Sequence, residues 1–376
     1  MATDQRTVLL RKLATIRGST VISFLTSVRP GVPAQISDDM VRVFFDHLLL
    51  LPSRPIKKLD LFLCSNGGSG TVPWRLVSLF REFAESFCVL IPYRAYSSAS
   101  LLALGADEIV MHPFAELGPI DPTVSNEFNP TDQSGRRQGI SVEDVTAYIH
   151  FIKMTVGIRH EDELVKAVEI LAGKVHPLAL GNVERFLSQS RMIATKILRT
   201  HMTDTESHKI SEIVENLASK LYFHGHPINR EEAKKDIGLK VKLDLPPDLE
   251  AGMWELYKEY EAEFDSLSVF NPAMDIAALQ AAQPQQPIQP PQASPQAVQV
   301  PLAFPPPITK EYAIPHAIIE SERLSSKFVT KRRYTVLPMP PNLQPGQPMI
   351  REDILSQGWS HSPLPLAPPQ PPPSTS

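Results

Sequence analysis

Two short segments about thirty residues apart constrain this chain more than anything else in it. The first is Leu61-Phe62-Leu63-Cys64-Ser65-Asn66-Gly67-Gly68. The second runs Tyr93-Arg94-Ala95-Tyr96-Ser97-Ser98-Ala99-Ser100-Leu101-Leu102-Ala103-Leu104-Gly105-Ala106-Asp107. Each reads as an apolar strand that breaks into small residues and then enters a helix. Junctions of this kind aim backbone N–H groups and a serine hydroxyl at one point, as serine attack on a carbonyl requires. The pattern points to serine hydrolase chemistry.

The neighbouring sequence supplies a frame for those junctions. Residues 19–25 are β-branched and aromatic, a first strand. Residues 38–50 follow the cap signal Ser37-Asp38-Asp39 and have amphipathic helix spacing. Residues 59–64 predict a buried parallel strand, 74–87 a helix, 88–92 a strand, 98–105 a small-residue helix and 108–111 a strand. Leu117-Gly118-Pro119-Ile120-Asp121-Pro122 then forms a rigid turn. Strands alternating with helices imply right-handed crossovers and a parallel sheet. After an exposed loop at 135–139, helices are expected over 142–156, 161–171, 180–202, 207–220, 229–237 and 249–263. Ile210, Ile213, Val214 and Leu217 form a stripe at helical spacing, a packing face rather than chemistry.

Composition bounds the folded part. Beyond Asn271 lie 23 of the 37 prolines, with repeats such as Gln283-Pro284-Gln285-Gln286-Pro287, so roughly the last hundred residues are expected to be disordered. Within them, residues 318–324 and 328–333 form an island of mixed charge and hydrophobicity able to fold on a partner. Pro305-Pro306-Pro307 and 369–373 have polyproline character suited to a solvated spacer or a partner's groove. The formal net charge of −4, with mixed signs, argues against a nucleic-acid grip. Cys64 and Cys88 lie in apolar runs and read as buried thiols. No secretory h-region opens the chain, and the longest apolar stretch, 41–51, is broken by Arg42, Asp46 and His47. A cytoplasmic protein with no transmembrane segment is the expectation.

Ser97 stands where a strand ends and a helix begins, so developing negative charge on it would face the positive end of the helix dipole. Gly67 and Gly68 can turn their N–H groups outward because glycine tolerates the dihedrals this takes. An isolated serine before a helix is most often a cap. Two such junctions, each after a buried strand, weigh against that reading here.

From Leu59 to Pro122 the chain resembles the Clp-peptidase/crotonase superfamily, and more narrowly the serine dehydrogenase proteinase family related to signal peptide peptidase A. Ser65-Asn66-Gly67-Gly68 is similar to that family's Thr-Pro-Gly-Gly loop, and 95–111 to its nucleophile segment. Leu117-Gly118-Pro119-Ile120-Asp121-Pro122 matches its Leu-Gly-Pro-Ile-Asp-Pro. Phe223-His224-Gly225-His226-Pro227-Ile228-Asn229-Arg230 resembles a stretch late in its domain. Ser98-Ala99 stands where the family has Gly-Gly, and Asn66 where it has proline; neither change removes an atom the chemistry needs.

The resemblance implies an α/β fold of repeated ββα units over 1–130 and a helical extension over 131–265 that completes the domain, while composition marks 266–376 as the disordered tail. It implies Ser97 as nucleophile and an oxyanion hole from the backbone of Gly67, Gly68 and Ser98. Clp peptidases place a histidine near the turn where this chain has Asp121, whereas the signal-peptide-peptidase branch uses a lysine beyond it as general base. Lys153, amid Ile149-His150-Phe151-Ile152, is the first candidate for that lysine and Lys174 the second. Burial would have to lower the pKa of either one. Asp121 either orients the lysine or holds the turn.

His224 and His226, near His201 and His208, lack a third ligand at defined spacing, so no metal is expected. His112 reads as a strand-end residue, while Arg94 and Tyr96 flank the nucleophile and shape a substrate pocket. No Gly-x-Gly-x-x-Gly follows a strand, so no nicotinamide site and no other cofactor is indicated. The expectation is a serine peptidase with a Ser-Lys dyad, a peptide or protein as substrate and homo-oligomeric assembly. Two alternatives stand beside it: a non-catalytic scaffold whose Pro-rich tail recruits partners, and an acyl or thioester hydrolase acting on a coenzyme A ester.

Overall fold

Strand β1 (Thr20–Thr26) and strand β2 (Ile56–Cys64) show how the molecule is layered. Successive side chains of a strand leave on opposite faces. Ile22, Phe24, Leu59, Leu61 and Leu63 enter one apolar core, and Val21, Leu25, Phe62 and Cys64 enter another on the far side of the sheet. A strand buried on both faces reads as a nearly continuous apolar run, which made 59–64 legible. In the computed structural model the described residues are 2–120, 123–124, 127–132, 135, 137–220, 225–281, 308–336 and 350–365.

The sheet continues through β3 (Ala84–Ile91), β4 (Glu108–Met111) and β5 (Val241–Lys242), all parallel to their neighbours. Three further strands, β6 (Thr309–Glu320), β7 (Leu324–Val336) and β8 (Ile350–Pro363), form an antiparallel meander. Strand β6 pairs antiparallel with β1, so the eight strands run in the order β5-β4-β3-β2-β1-β6-β7-β8.

Helices cover both faces. They are α1 (Ala2–Arg17), α2 (Asp39–Leu49), α3 (Val72–Phe83), α4 (Ser98–Ala103), α5 (Val142–His150), α6 (Glu161–Ala172), α7 (Pro177–Leu198), α8 (Ser207–Glu215), α9 (Arg230–Lys235), α10 (Pro247–Phe264) and α11 (Pro272–Ala281). Apolar faces of α2, α3, α4, α7 and α8 fill the first core, and those of α1 and α10 the second. The stripe Ile210, Ile213, Val214 and Leu217 is buried in the first core, as a packing face should be.

The tail expectation fails over most of the described C-terminal residues. Stretches 308–336 and 350–365 are ordered almost wholly as strands, and Ile318 and Ile319 are fully buried. The partner for the 318–333 island is β1 of the same chain. Composition misled because proline is unevenly spread: 19 of those 23 prolines lie outside the described residues, and Pro315 falls at the one shift of register between β6 and β7. The polyproline runs 305–307 and 369–373 lie outside the described residues.

Smaller corrections have local causes. The helix expected over 74–87 ends at Phe83, because Ala84 turns extended and begins β3. The helix expected over 142–156 passes at Phe151 into a π-turn that ends at Thr155. Helix α1, not expected at all, buries Leu9, Leu10 and Leu13 against α10.

Polar pins fix both ends of α1 to the sheet. Arg6, fully buried, donates to both carboxylate oxygens of Glu320 at 2.8 and 2.9 Å. Glu320 also accepts from Tyr260 Oη at 2.7 Å and Ser325 Oγ at 2.6 Å. Burial works to raise the Glu320 carboxyl, but Arg6 and the two hydroxyls outweigh it and hold the group below the ordinary range. At the other end of α1, Arg17 and Ser19 satisfy Asp60, which is buried in β2.

Candidate active site

The two junctions singled out in the sequence are zipped together where β2 ends. Ser65 N–H donates to the Arg94 carbonyl at 2.9 Å, and Tyr96 N–H to the Ser65 carbonyl at 3.0 Å. These bonds set the short strand Arg94–Ala95 beside the glycine loop. A Cβ built on Gly67 would fall 2.6 Å from the Tyr96 carbonyl oxygen and 2.9 Å from the Ser97 Cβ. Only a residue without a side chain fits there, and φ of +95° adds a second reason.

Ser97 precedes α4 with φ 53° and ψ −117°. Among the described residues only Ser97 and Asp265 combine a side chain with positive φ. Serine at a helix N-cap ordinarily sits in the β region, with its hydroxyl bonded to the first turn. Ser97 does neither: its side chain makes no capping bond. Held strain of this kind turns the side chain out of the helix geometry that would otherwise absorb it.

The N–H groups nearby divide into committed and open ones. Gly67 N–H donates to Ser65 Oγ at 3.0 Å, so the loop itself has taken the first of the three expected donors. The Gly67 carbonyl accepts from Ile36 N–H at 2.8 Å, and Ser69 N–H donates to the Ile36 carbonyl at 2.8 Å. Gly68 N–H and Ser98 N–H have no acceptor among the described residues. The site therefore offers two open donors from the expected set, one on each junction.

Some residues that frame the site carry no signal in the sequence. Ser100 Oγ lies 2.7 Å from both the Ala95 and Gly118 carbonyl oxygens and accepts the Gly118 N–H at 3.1 Å, bolting α4 to the strands before and after it. A buried hydroxyl with this role is visible only once the strands are paired. Asp107, the acid that ends the second motif, is held by Arg81 and accepts the Phe87 N–H, a structural task. Tyr96 donates its hydroxyl to Glu116, and burial together with that carboxylate pushes the phenol up to about 12. The Arg94 guanidinium stacks over the rings of Tyr93 and Tyr96, 4.2 and 5.5 Å from their centroids.

Neither lysine expected as the base is buried. Lys153 is exposed on the π-turn Phe151–Thr155, which packs chiefly on α5 and α6. Lys174, just after α6, is exposed too. Asp121 and His224 lie outside the described residues. His112 stacks on Trp254 and accepts the Phe114 N–H through Nδ1, consistent with a strand-end role. His201 bonds the Leu104 carbonyl and His226 bonds Glu232, and the described residues hold no cluster of three metal-ligating groups. Cys64 and Cys88 are free and buried, and burial pushes both thiols up to about 11. No described helix is long and apolar enough to cross a membrane.

Comparison with known proteins bears on the same region. Two uncharacterized proteins of Methanocaldococcus jannaschii are similar to this chain. One is 24% identical over 261 residues, covering 67% of this chain and 78% of the relative. The other is 27% identical over 188 residues, so that the match spans only about half of each protein, 50% and 53%. Two solved structures of mutants of the 1510-N membrane-bound stomatin-specific protease also align, both at 14% identity. The first has a TM-score of 0.33 and covers 59% of this chain and 79% of that one. The second, in complex with a substrate peptide, has a TM-score of 0.36 and covers 61% and 78%. The model of the ClpP-like SDH-type serine proteinases matches residues 2–133, the stretch that carries β1 to β4 and both junctions. Through that stretch the chain is similar to the ClpP-like SDH-type serine proteinase family.

Proposed function

We propose that this protein is a serine peptidase on a Clp/crotonase-like frame, with Ser97 as its nucleophile. The observation that carries the reading is the strained Ser97 backbone pressed against Gly67, with open N–H groups on Gly68 and Ser98. In the proposed reaction Ser97 Oγ attacks the peptide carbonyl carbon. The oxygen that becomes negative is held by the Gly68 and Ser98 N–H groups. Collapse expels the amine half and leaves an acyl ester on Ser97, which water then hydrolyses. Gly67 serves by lacking a side chain, since its N–H is taken by Ser65.

The base in this reading is a lysine, Lys153 first and Lys174 second. It takes the Ser97 proton and returns it to the departing amine. An amine does this near neutral pH only when burial lowers its pKa. Lys153 is flanked by the exposed apolar residues Phe151, Met154 and Val156. Contact of those residues with a bound substrate or with a second copy of the chain, in the homo-oligomer proposed here, would supply the burial.

The test is hydrolysis of casein and of a peptide library, with a fluorophosphonate probe of Ser97 alongside. Wild type is expected to cleave and label, Ser97→Ala to do neither, and Lys153→Ala to lose cleavage while Lys174→Ala keeps it. Equal cleavage by Ser97→Ala removes the nucleophile assignment. The exposure of both lysines favours one second reading, a non-catalytic scaffold. Absence of labelling between pH 6 and 10 decides for it.

A further inference from the structure

Ser65 and Thr26 are buried hydroxyls for which the proposed mechanism has no use, 0% and 1% exposed. Their oxygens lie 2.7 Å apart, and Ser65 Oγ accepts the Gly67 N–H at 3.0 Å. Thr26 is itself fixed, paired with Ala317 of β6 at the end of β1, while the next residue donates from Ser27 N–H to the His316 carbonyl at 2.8 Å.

The geometry of one peptide plane makes the pair consequential. In a trans peptide the C=O and the following N–H point in opposite directions. The Gly67 carbonyl is held by Ile36 N–H at 2.8 Å, so the Gly68 N–H of the same plane is directed away from Ile36. Glycine has little conformational preference of its own, so a plane between two glycines stays put only if both flanks are tied. The carbonyl flank is tied by Ile36, and the amide flank by Ser65 Oγ, backed by Thr26.

We propose that Ser65 and Thr26 are positioning residues whose paired hydroxyls lock the Gly67 backbone and so keep the Gly68 N–H preorganised for the oxyanion. This rests on the peptidase reading for its catalytic consequence, but not for the lock itself. With the Ser65 hydroxyl gone, the Gly67 N–H is a buried donor without an acceptor, and the loop is expected to turn to satisfy it.

The experiment uses the full chain with Ser65→Ala, Ser65→Thr, Thr26→Val and Thr26→Ser. Amide hydrogen exchange at Gly67, read by NMR, is expected to quicken about tenfold or more in Ser65→Ala, as loss of one hydrogen bond predicts, and to stay near wild type in Ser65→Thr. Amides of β2 serve as the internal control for global unfolding. On peptide substrate, Ser65→Ala is expected to lower kcat about tenfold or more with KM within twofold. Ser65→Thr recovers most of that loss, and Thr26→Val shows a smaller fall that Thr26→Ser recovers. Unchanged Gly67 exchange in Ser65→Ala overturns the lock, as does a Ser65→Thr variant no better than alanine. Absence of wild-type turnover overturns the peptidase reading instead, and Gly67 exchange then decides the lock alone.

Discussion

Gly67 sits so close to Ser97 that a Cβ built on it would lie 2.9 Å from the Ser97 Cβ. The two residues belong to different strand-to-helix junctions, yet they touch because Ser65 bonds both ends of the 94–96 segment. Gly67→Ala is therefore expected to cost on the order of 2 kcal/mol of stability, from overpacking and from a side chain at φ +95°. It should also slow fluorophosphonate labelling of Ser97 more than about tenfold. Thermal unfolding and the labelling rate check the two effects separately; wild-type values for both would show that the contact is idle.

The backbone of Ser97 predicts an inverted ranking of two inert variants. Ser97→Ala and Ser97→Gly both remove the hydroxyl, but only glycine accepts φ 53° without strain. Ser97→Gly should be the more stable of the two by about 1 kcal/mol, even though glycine is ordinarily the costlier residue to order. Denaturant unfolding of both variants measures this, and an alanine variant of equal or greater stability would mean that no strain is stored there.

Breaking the Arg6–Glu320 pair should loosen α1 from β6. Arg6→Met leaves Glu320 as a buried carboxylate with only the Tyr260 and Ser325 hydroxyls, and a loss of about 3–5 kcal/mol is expected. Arg6→Met combined with Glu320→Gln should recover part of it, because no uncompensated charge remains. Chemical denaturation of the single and double variants tests this, and additive losses would count against a coupled pair.

His47 should make the fold sensitive to mild acid. Its ring is buried between Ser321 Oγ at Nδ1 and Ser326 Oγ at Nε2, both 3.0 Å away, with His361 beyond Ser326 and with Glu320 and Asp46 nearby. Burial first, then His361, lowers its pKa from 6.5 to about 4, against the opposing pull of the two carboxylates. The unfolded chain therefore binds a proton below pH 6.5 that the folded chain refuses until about pH 4. Stability from this group is whole above pH 6.5 and drains as pH falls across that window, by roughly 3 kcal/mol at most. His47→Asn should flatten the pH dependence of unfolding between those limits. An unchanged slope would assign the acid sensitivity elsewhere.

The core that carries the two junctions was legible because its signals are local. Strands such as 59–64 are apolar on both faces, and Ser97 and Gly67 stand at strand-to-helix breaks that serine chemistry needs. What the sequence hid depends on contacts across the fold. Thr26, Ser65 and Ser100 are ordinary small polar residues until pairing brings the Ser65 and Ser100 hydroxyls onto neighbouring backbone and the Thr26 hydroxyl onto Ser65. Proline counting over the last hundred residues averaged two kinds of segment, so strands β6 to β8 were lost in the mean. A lysine beyond the turn was expected on resemblance, and the exposure of Lys153 could not be read from its apolar neighbours, because Phe151 and Met154 are exposed as well.

The pairing of β1 with β6 has a consequence for synthesis on the ribosome. The second partner of strand β1 is made nearly three hundred residues after it. Until then one rim of the nascent sheet lies open to hydrogen-bond with a neighbouring polypeptide, a hazard for association between growing chains. Closure over so long a separation is slow, so the finished molecule depends on a late event that no ligand at the serine can hurry.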